Sequence, residues 1–396
     1  MFKIREIPRT FWRLSAMEFL FWVAAALGAY LSVFLQKKGY GPDQVGIVLA
    51  VSSVVSILAS PFWGMAADKI RSVRKILFLC LLIGAVLWAI VPVSAIIAPD
   101  TIMLMFIIIL LGTFFRSPIN SLMDSLVIRK ADAEKIEFSH VRLWGSFSFA
   151  IMCFALCVIL PVTGVELSFY LYGVAFTPLL IIIWRTKETE STGQSGRRTS
   201  GGMGYRRLFK NYHFLTYLVF LMLYAIPVNT FTSFLPFLIN EAGDDAAQMG
   251  LVIGYNAILE IPMLFLIRPL KRKIPPLPFV IGMAALLYCL GAFLFSRADS
   301  LVQIMFIQTL HGLGSGLFIG SGVSYVYSLV PRDLSTTAYA VCGSISATSA
   351  IIGNSMGGFL IAAFGIHSYY LISSFIMLFA VFFFMFTLVI GKKFIR

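Results

Sequence analysis

Arg116 to Phe149 reads RSPINSLMDSLVIRKADAEKIEFSHVRLWGSFSF: the end of one apolar helix, a charged joint from Arg129 to Glu137, and the start of another apolar helix. Arg116, Asp124, His140 and Arg142 therefore fall inside or at the edge of apolar segments. An ionised side chain at the centre of a bilayer costs about 2.5–3.5 kcal/mol on insertion scales, so such groups pair, face water, or hold a ligand. Several of them on one helical hairpin predict a site.

The sequence on either side sets that hairpin in a membrane. Its 396 residues are 59% hydrophobic and only 12% charged, and a mean hydropathy of +0.90 lies outside the range of soluble globular domains. About 20 apolar residues cross a hydrocarbon core about 30 Å thick. Spans of that kind are expected at 12–35, 43–66, 75–97, 101–128, 139–161, 166–184, 212–239, 247–270, 277–296, 300–329, 337–364 and 368–391. Twelve spans leave no room for a soluble catalytic domain. The five cysteines, Cys80, Cys153, Cys157, Cys289 and Cys342, lie within apolar blocks without metal-ligand spacing. No cleavable leader is expected, because the first apolar stretch is too long for one and lacks a small-residue cleavage site.

Charge orients the spans. All but five of the 31 Lys and Arg fall on one side if the N-terminus is cytoplasmic; Lys37, Lys38 and Arg297 lie on the other side and Arg116 and Arg142 within spans. The positive-inside rule then puts both termini in the cytoplasm and the chain in the plasma (inner) membrane. The net charge of +13 is read as topology signals beside anionic lipid, with no nucleic-acid partner. The stretch KETESTGQSGRRTSGGMGYRR is the one long polar joint, at mid-chain. The predicted organisation is an N-terminal six-helix bundle over 1–185, a cytoplasmic linker over 186–210 and a C-terminal six-helix bundle over 211–396. Two related halves of that kind hold a solute near the midplane.

After the second span comes Gly64-Met-Ala-Ala-Asp68-Lys69-Ile-Arg71-Ser-Val-Arg74-Lys75. It resembles the signature loop G-x-x-x-D-[RK]-x-G-[RK]-[RK] of the major facilitator superfamily, with Arg71 where the family prefers Gly and one extra residue before Arg74-Lys75. The resemblance implies a conformational-switch loop of Gly64, Asp68, Lys69, Arg74 and Lys75, in which Gly64 lets helices approach and Asp68 engages basic groups. The alternative is an ordinary basic loop. At the equivalent place in the second half, Arg268-Pro-Leu-Lys-Arg-Lys273 keeps only the charge.

Asp124, eighteen residues before Arg142-Leu-Trp-Gly-Ser146, resembles the P-L-x-D…Y-G-x-x-R-x-W-G-S pattern of the 3-phenylpropionate permease-like branch. It is also similar to lactose permease, where a Glu and an Arg at this spacing bind the sugar. Substrate binding by Asp124 and Arg142 is implied, with a purely structural ion pair as the alternative. Arg116, eight residues earlier and about 12 Å away by helical rise, either lines a watery cavity or is neutralised by a carboxylate such as Glu18. Glu18 itself is close enough to Arg13 in sequence to pair there instead. His140 reads as interfacial and structural.

In the second half, Ala257-Ile-Leu-Glu260-Ile-Pro262 puts a carboxylate near mid-span, where it can bind solute or carry a proton. Gln308-Thr-Leu-His311-Gly resembles the K-T-L-H-x-x-E run of lactose permease, but Gln308 replaces the Lys and Gly314 the Glu, which takes lactose itself out of the implication. His311 is expected either to bind substrate or relay protons, or to be a hydrogen-bonded core histidine.

The fold class implied is an all-α integral membrane protein of twelve transmembrane helices in two pseudo-symmetric six-helix bundles, the major facilitator fold. The function implied is secondary active transport by proton symport and alternating access, with a sugar, nucleoside or aromatic acid as cargo. Substrate-binding residues would be Asp124, Arg142, Arg116, Glu260 and His311; the proton-coupling residues would come from Glu260, His311 and Asp124. An alternative is proton-antiport efflux, although GSFSFAIMCFALCVIL on the fifth span lacks the Gly-Pro-x-x-Gly-Gly-like element of such families. A transporter-like receptor is a further alternative. An enzyme is not expected, nor any cofactor beyond the proton gradient, nor any metal; the partners are a small-molecule solute and the bilayer, and the chain is expected to be a monomer.

Overall fold

The computed structural model describes residues 9–97, 102–186, 208–270, 276–331 and 334–394, and every regular element among them is helical. Most of the 186–210 linker and residues 271–273 of the second-half basic run lie outside the described residues. In chain order the helices are α1 (Arg9–Leu27), a 3₁₀ turn (Gly28–Tyr30), α2 (Leu31–Lys37), α3 (Pro42–Ile70), α4 (Val73–Ile97), α5 (Ile102–Arg116), α6 (Ile119–Ala133), α7 (Phe138–Thr163) and α8 (Glu166–Arg185). After the linker come α9 (Tyr212–Glu241), α10 (Met249–Leu270), α11 (Leu277–Phe295), α12 (Leu301–Leu329) and α13 (Ser335–Phe394). Ten stretches of the described residues are long and apolar enough to cross a membrane. The last of them breaks at Gly365, whose φ of 82° and ψ of 165° are non-helical, so it makes two spans, and Met249–Leu270 completes the twelve. Large apolar side chains such as Val162, Phe306 and Ile96 stay exposed on the helices, as a lipid-facing surface requires.

By contact the chain divides into two compact units, Met1–Phe34 with Val54–Ser195, and Leu35–Ser53 with Gly196–Arg396. In the first unit α1 packs on α7 and α8, and α4 on α5 and α8, around buried Phe34, Trp88, Phe169 and Phe176. In the second, α9 packs on α13, α10 on α12, and α11 on α12 and α13. An aromatic column there runs from Phe384 through Phe220 (4.5 Å) and from Tyr224 to Phe318 (4.4 Å).

The fourth span is broken. Pro118 has no N–H, so the Phe114 carbonyl one turn earlier loses its helical donor; the Trp63 indole N–H donates to it instead, at 3.1 Å. The backbone turns at Ser117-Pro118 and restarts as α6.

The start of α3 joins the second unit because two glycines let backbones touch. A Cβ on Gly358 would lie 3.0 Å from Gly46 Cα and 3.1 Å from Asp43 Cα. In the same unit Lys37 Nζ meets Asp245 Oδ1 at 2.8 Å, and Asp245 also accepts from the Ala247 N–H at 2.8 Å. Burial alone would raise the Asp245 carboxyl, but the Lys37 hydrogen bond, the Ala247 N–H and the Lys37 charge outweigh it and hold the group below its ordinary value. A depressed carboxyl stabilises the fold fully above the unfolded value, about 3.9, and loses that contribution as pH falls through the folded value. Both side chains are about a third exposed (34% and 32%), so the pair is worth under about 1 kcal/mol. Asp245→Asn is expected to melt slightly below the parent at neutral pH. That gap should close as the melts are repeated through the acid carboxylate range.

Candidate functional site

The first unit brings three charges together deep in its helices. Glu18 and Trp22 are one turn apart on α1, and the Trp22 indole N–H donates to Glu18 Oε2 at 3.1 Å. The Arg142 guanidinium of α7 lies over the same indole, its Cζ 3.9 Å from the ring centroid, a cation–π contact. Glu18 is fully buried, and the charges of Arg142 and of Asp124 on α6 both act on it. Arg142 also acts on Asp124. Yet Glu18 Oε1, Asp124 Oδ1 and Arg142 Nη1 are buried without a hydrogen-bond partner among the described residues. With both carboxylates ionised the cluster carries a net −1; with one protonated it is neutral.

Gly145 makes the arrangement fit. A Cβ there would run into Trp22 Cδ1 and come within 2.8 Å of Arg142 Nη1, so the Arg-x-Trp-Gly-Ser run needs its glycine for space beside the guanidinium.

Arg116 sits apart from that cluster. Its Nε donates to the Tyr172 hydroxyl at 2.8 Å and its Nη2 to the Gly28 carbonyl at 3.4 Å, while its Cζ lies 3.5 Å from the Trp88 ring centroid. The arginine thus braces the 3₁₀ turn between α1 and α2, with aromatic faces in place of a carboxylate. It also borders a cavity of about 260 Å³, whose polar lining is Ser56, Thr113, Ser117, Asn120 and Tyr172 and whose apolar lining includes Phe21 and Phe176. Ser117 Oγ is buried there without a partner among the described residues.

In the second unit Glu260 on α10 accepts from Ser315 Oγ on α12 at 3.2 Å. Its charge bears on Tyr288, which Ser315 also hydrogen-bonds. Tyr288 in turn stacks on His311 at 4.6 Å and engages it through its backbone. His311 is boxed by Phe231 (4.8 Å, 4°) and the edge of Phe295 (5.0 Å), is 3% exposed, and leaves Nε2 without a partner among the described residues. Asn256, one turn before Glu260, also has an orphaned Oδ1. Glu260, Ser315, Tyr288 and His311 therefore form a continuous polar thread.

The end of α3, the turn after it and the start of α4 are exposed at Asp68, Lys69, Arg71 and Lys75. Asp68 makes no ion pair among the described residues, and a Cβ on Gly64 would meet nothing within 4 Å. Arg74 is anchored, its Nη1 donating to the Trp184 and Thr186 carbonyls at 3.1 and 2.9 Å. Arg71 stands at φ +54°, the left-handed conformation that glycine adopts without cost. That is why the related signature prefers Gly here. His140 is largely exposed beside Glu137 at 3.9 Å.

Glu18, expected beside Arg116 or Arg13, is turned by the fold to Arg142 and Asp124. Trp22, Asn120 and Ser315 are further site residues that the sequence pattern alone did not single out; the Glu18-x-x-x-Trp22 spacing was the available signal for the first.

Compared with known proteins, the chain matches the MFS_1 like family over residues 11–372. It is 26% identical over 326 residues to the uncharacterized transporter YwbF of Bacillus subtilis (strain 168), across 80% of this chain and 77% of that one. To the maltose permease of Geobacillus stearothermophilus it is 24% identical over 361 residues, across 90% and 88%. Among solved structures, the nucleoside transporter NupG superposes with a TM-score of 0.82 at 17% identity, covering 96% of this chain and 99% of that one, a likeness of fold.

Proposed function

The chain belongs to the MFS_1 like family and is a multi-pass membrane transporter, and from that premise we propose that it is a proton symporter for a small hydrophilic organic solute. The observation that carries this reading is the cluster of Glu18, Asp124 and Arg142, two carboxylates against one guanidinium with an orphaned atom on each residue. A cluster that is −1 when both carboxylates are ionised and neutral when one is protonated has a reason to take up one proton before its surroundings close over it, since a bare charge in hydrocarbon is costly. A solute acceptor or donor that meets Arg142 Nη1 or Asp124 Oδ1 changes which form is favoured, and that is coupling in physical terms.

The cavity beside Arg116 supplies hydroxyls, an amide and aromatic faces, which suits a hydroxyl-bearing ring, so sugars and nucleosides are favoured over aromatic acids. A sugar is what the name of the maltose permease relative specifies. Glu260 and His311 would serve the same solute or its proton from the second unit, and alternating access would expose the two halves' polar groups to each side in turn. The protein would act as a monomer in the plasma (inner) membrane, both termini cytoplasmic, with the proton gradient as its driving force.

The test is uptake into proteoliposomes from a panel of sugars, nucleosides and aromatic acids under an imposed pH gradient. At least one sugar or nucleoside is expected to accumulate and to leak back when an uncoupler is added. Asn120→Leu should slow that uptake about tenfold, the scale of leaving one buried polar group of the solute unpaired. Accumulation that survives the uncoupler would end the proton-symport reading.

A further inference from the structure

A second recess, of about 280 Å³, opens in the first unit where α1, α6 and α8 meet, and Arg13, Lys130 and Arg185 line it with Glu134 as the one carboxylate. Thr10 Oγ1 donates to Glu134 Oε1 at 2.8 Å, and the same carboxylate attracts Lys130. Arg13 Nη2 donates to the Ile182 carbonyl at 3.2 Å, and Arg74 caps the Trp184 and Thr186 carbonyls. The last carbonyls of a helix have no partner within it, so α8 fixes both guanidinia in place. Burial and the charges of Arg13 and Arg74 work against the Lys130 charge, and the single carboxylate of Glu134 works for it, so the cations of the recess outnumber its carboxylate. Held like charges repel, and an anion seated among them would relieve the repulsion. Trp12 and Trp184, each one residue before a lining arginine, stand 51% and 70% exposed; exposed tryptophans mark the headgroup level of a bilayer.

We propose that this recess binds the phosphate of an anionic phospholipid headgroup in the leaflet on the side of the Lys- and Arg-rich loops. Arg13, held by its carbonyl, and Lys130 and Arg185 give the phosphate oxygens charge-assisted hydrogen bonds, while the acyl chains run along the lipid-facing surface beside Trp12 and Trp184. The site uses none of the groups assigned to solute or proton, so it stands or falls independently of the transport reading.

The experiment titrates the delipidated full chain in detergent with phosphatidylglycerol, phosphatidylcholine and inorganic phosphate while its melting temperature is followed. Phosphatidylglycerol is expected to raise that temperature where the other two do not. The Lys130→Gln/Arg185→Gln variant should need about thirtyfold more phosphatidylglycerol, which is what two basic residues at about 1 kcal/mol each beside anionic headgroups amount to. Arg129→Gln/Lys135→Gln, which removes two exposed cations outside the recess, should titrate like the parent. Each shift is read from the variant's own unliganded melt; if the double variant is not monodisperse, Arg185→Gln alone should still need several-fold more lipid. The proposal is overturned if the recess variants titrate like the parent or if phosphatidylcholine works as well. It is equally overturned as a lipid site if inorganic phosphate alone reproduces the shift.

Discussion

Arg142→Ala is expected to reduce solute uptake by about two to four orders of magnitude, from the roughly 3–5 kcal/mol cost of stripping one partner from a buried charge cluster. Glu18 and Asp124 keep their positions on α1 and α6, Trp22 loses the cation over its ring, and the two carboxylates are left facing each other without compensation. Arg142→Lys separates charge from shape, because an ammonium restores the positive charge but cannot lie flat over the indole or offer a fork of donors; it should recover part of the rate. Adding Asp124→Asn to the alanine variant brings the count from −2 back to −1, the parent's value with both carboxylates ionised. It should restore thermal stability without restoring uptake, a split that a purely structural ion pair would not give. Uptake by Arg142→Ala at the parent rate, from protein that elutes as a single species, would put the site elsewhere.

The legible part of this molecule is the part written in hydropathy. Length and apolarity alone locate the spans to within a few residues, because the hydrocarbon core fixes how many residues each needs, and the joint between the last two spans falls at a glycine in a non-helical conformation, Gly365. Arg71 departs from the related signature and still adopts the left-handed conformation that glycine favours. Less legible was whatever depends on the azimuth at which one helix faces another. The fourth span reads as one helix although Pro118 breaks it, because the break holds only where Trp63 from α3 takes over the Phe114 carbonyl. Arg116 looks like a charge in search of a carboxylate, and an aromatic cage and a backbone carbonyl hold it instead. The halves as read from the linker do not anticipate that Leu35–Ser53 packs with the second unit, since that follows from two glycines far apart in sequence, Gly46 and Gly358.

Glu18→Gln should leave exchange of solute across the membrane within about twofold of the parent, yet abolish accumulation against a gradient. The amide has the shape of the protonated acid and can still accept from the Trp22 indole N–H, so the local packing persists. The cluster is then fixed at the neutral count it would otherwise reach only by binding a proton. A carrier locked in its protonated form can shuttle loaded in both directions, which is exchange, but it cannot return empty after releasing a proton, which net coupled uptake demands. Counterflow and gradient-driven uptake measured on the same proteoliposomes distinguish the two processes. Glu260→Gln provides the comparison, because Glu260 is a carboxylate of the second unit and leads through Ser315 and Tyr288 to His311. If Glu260→Gln shows the loss of accumulation and Glu18→Gln does not, the proton travels through the second unit and the first unit binds solute only. If Glu18→Gln loses exchange and accumulation together, Glu18 holds α1 to α7 and carries no proton. Retained exchange with lost accumulation in Glu18→Gln alone would mean that the charge imbalance among Glu18, Asp124 and Arg142 is what makes transport uphill.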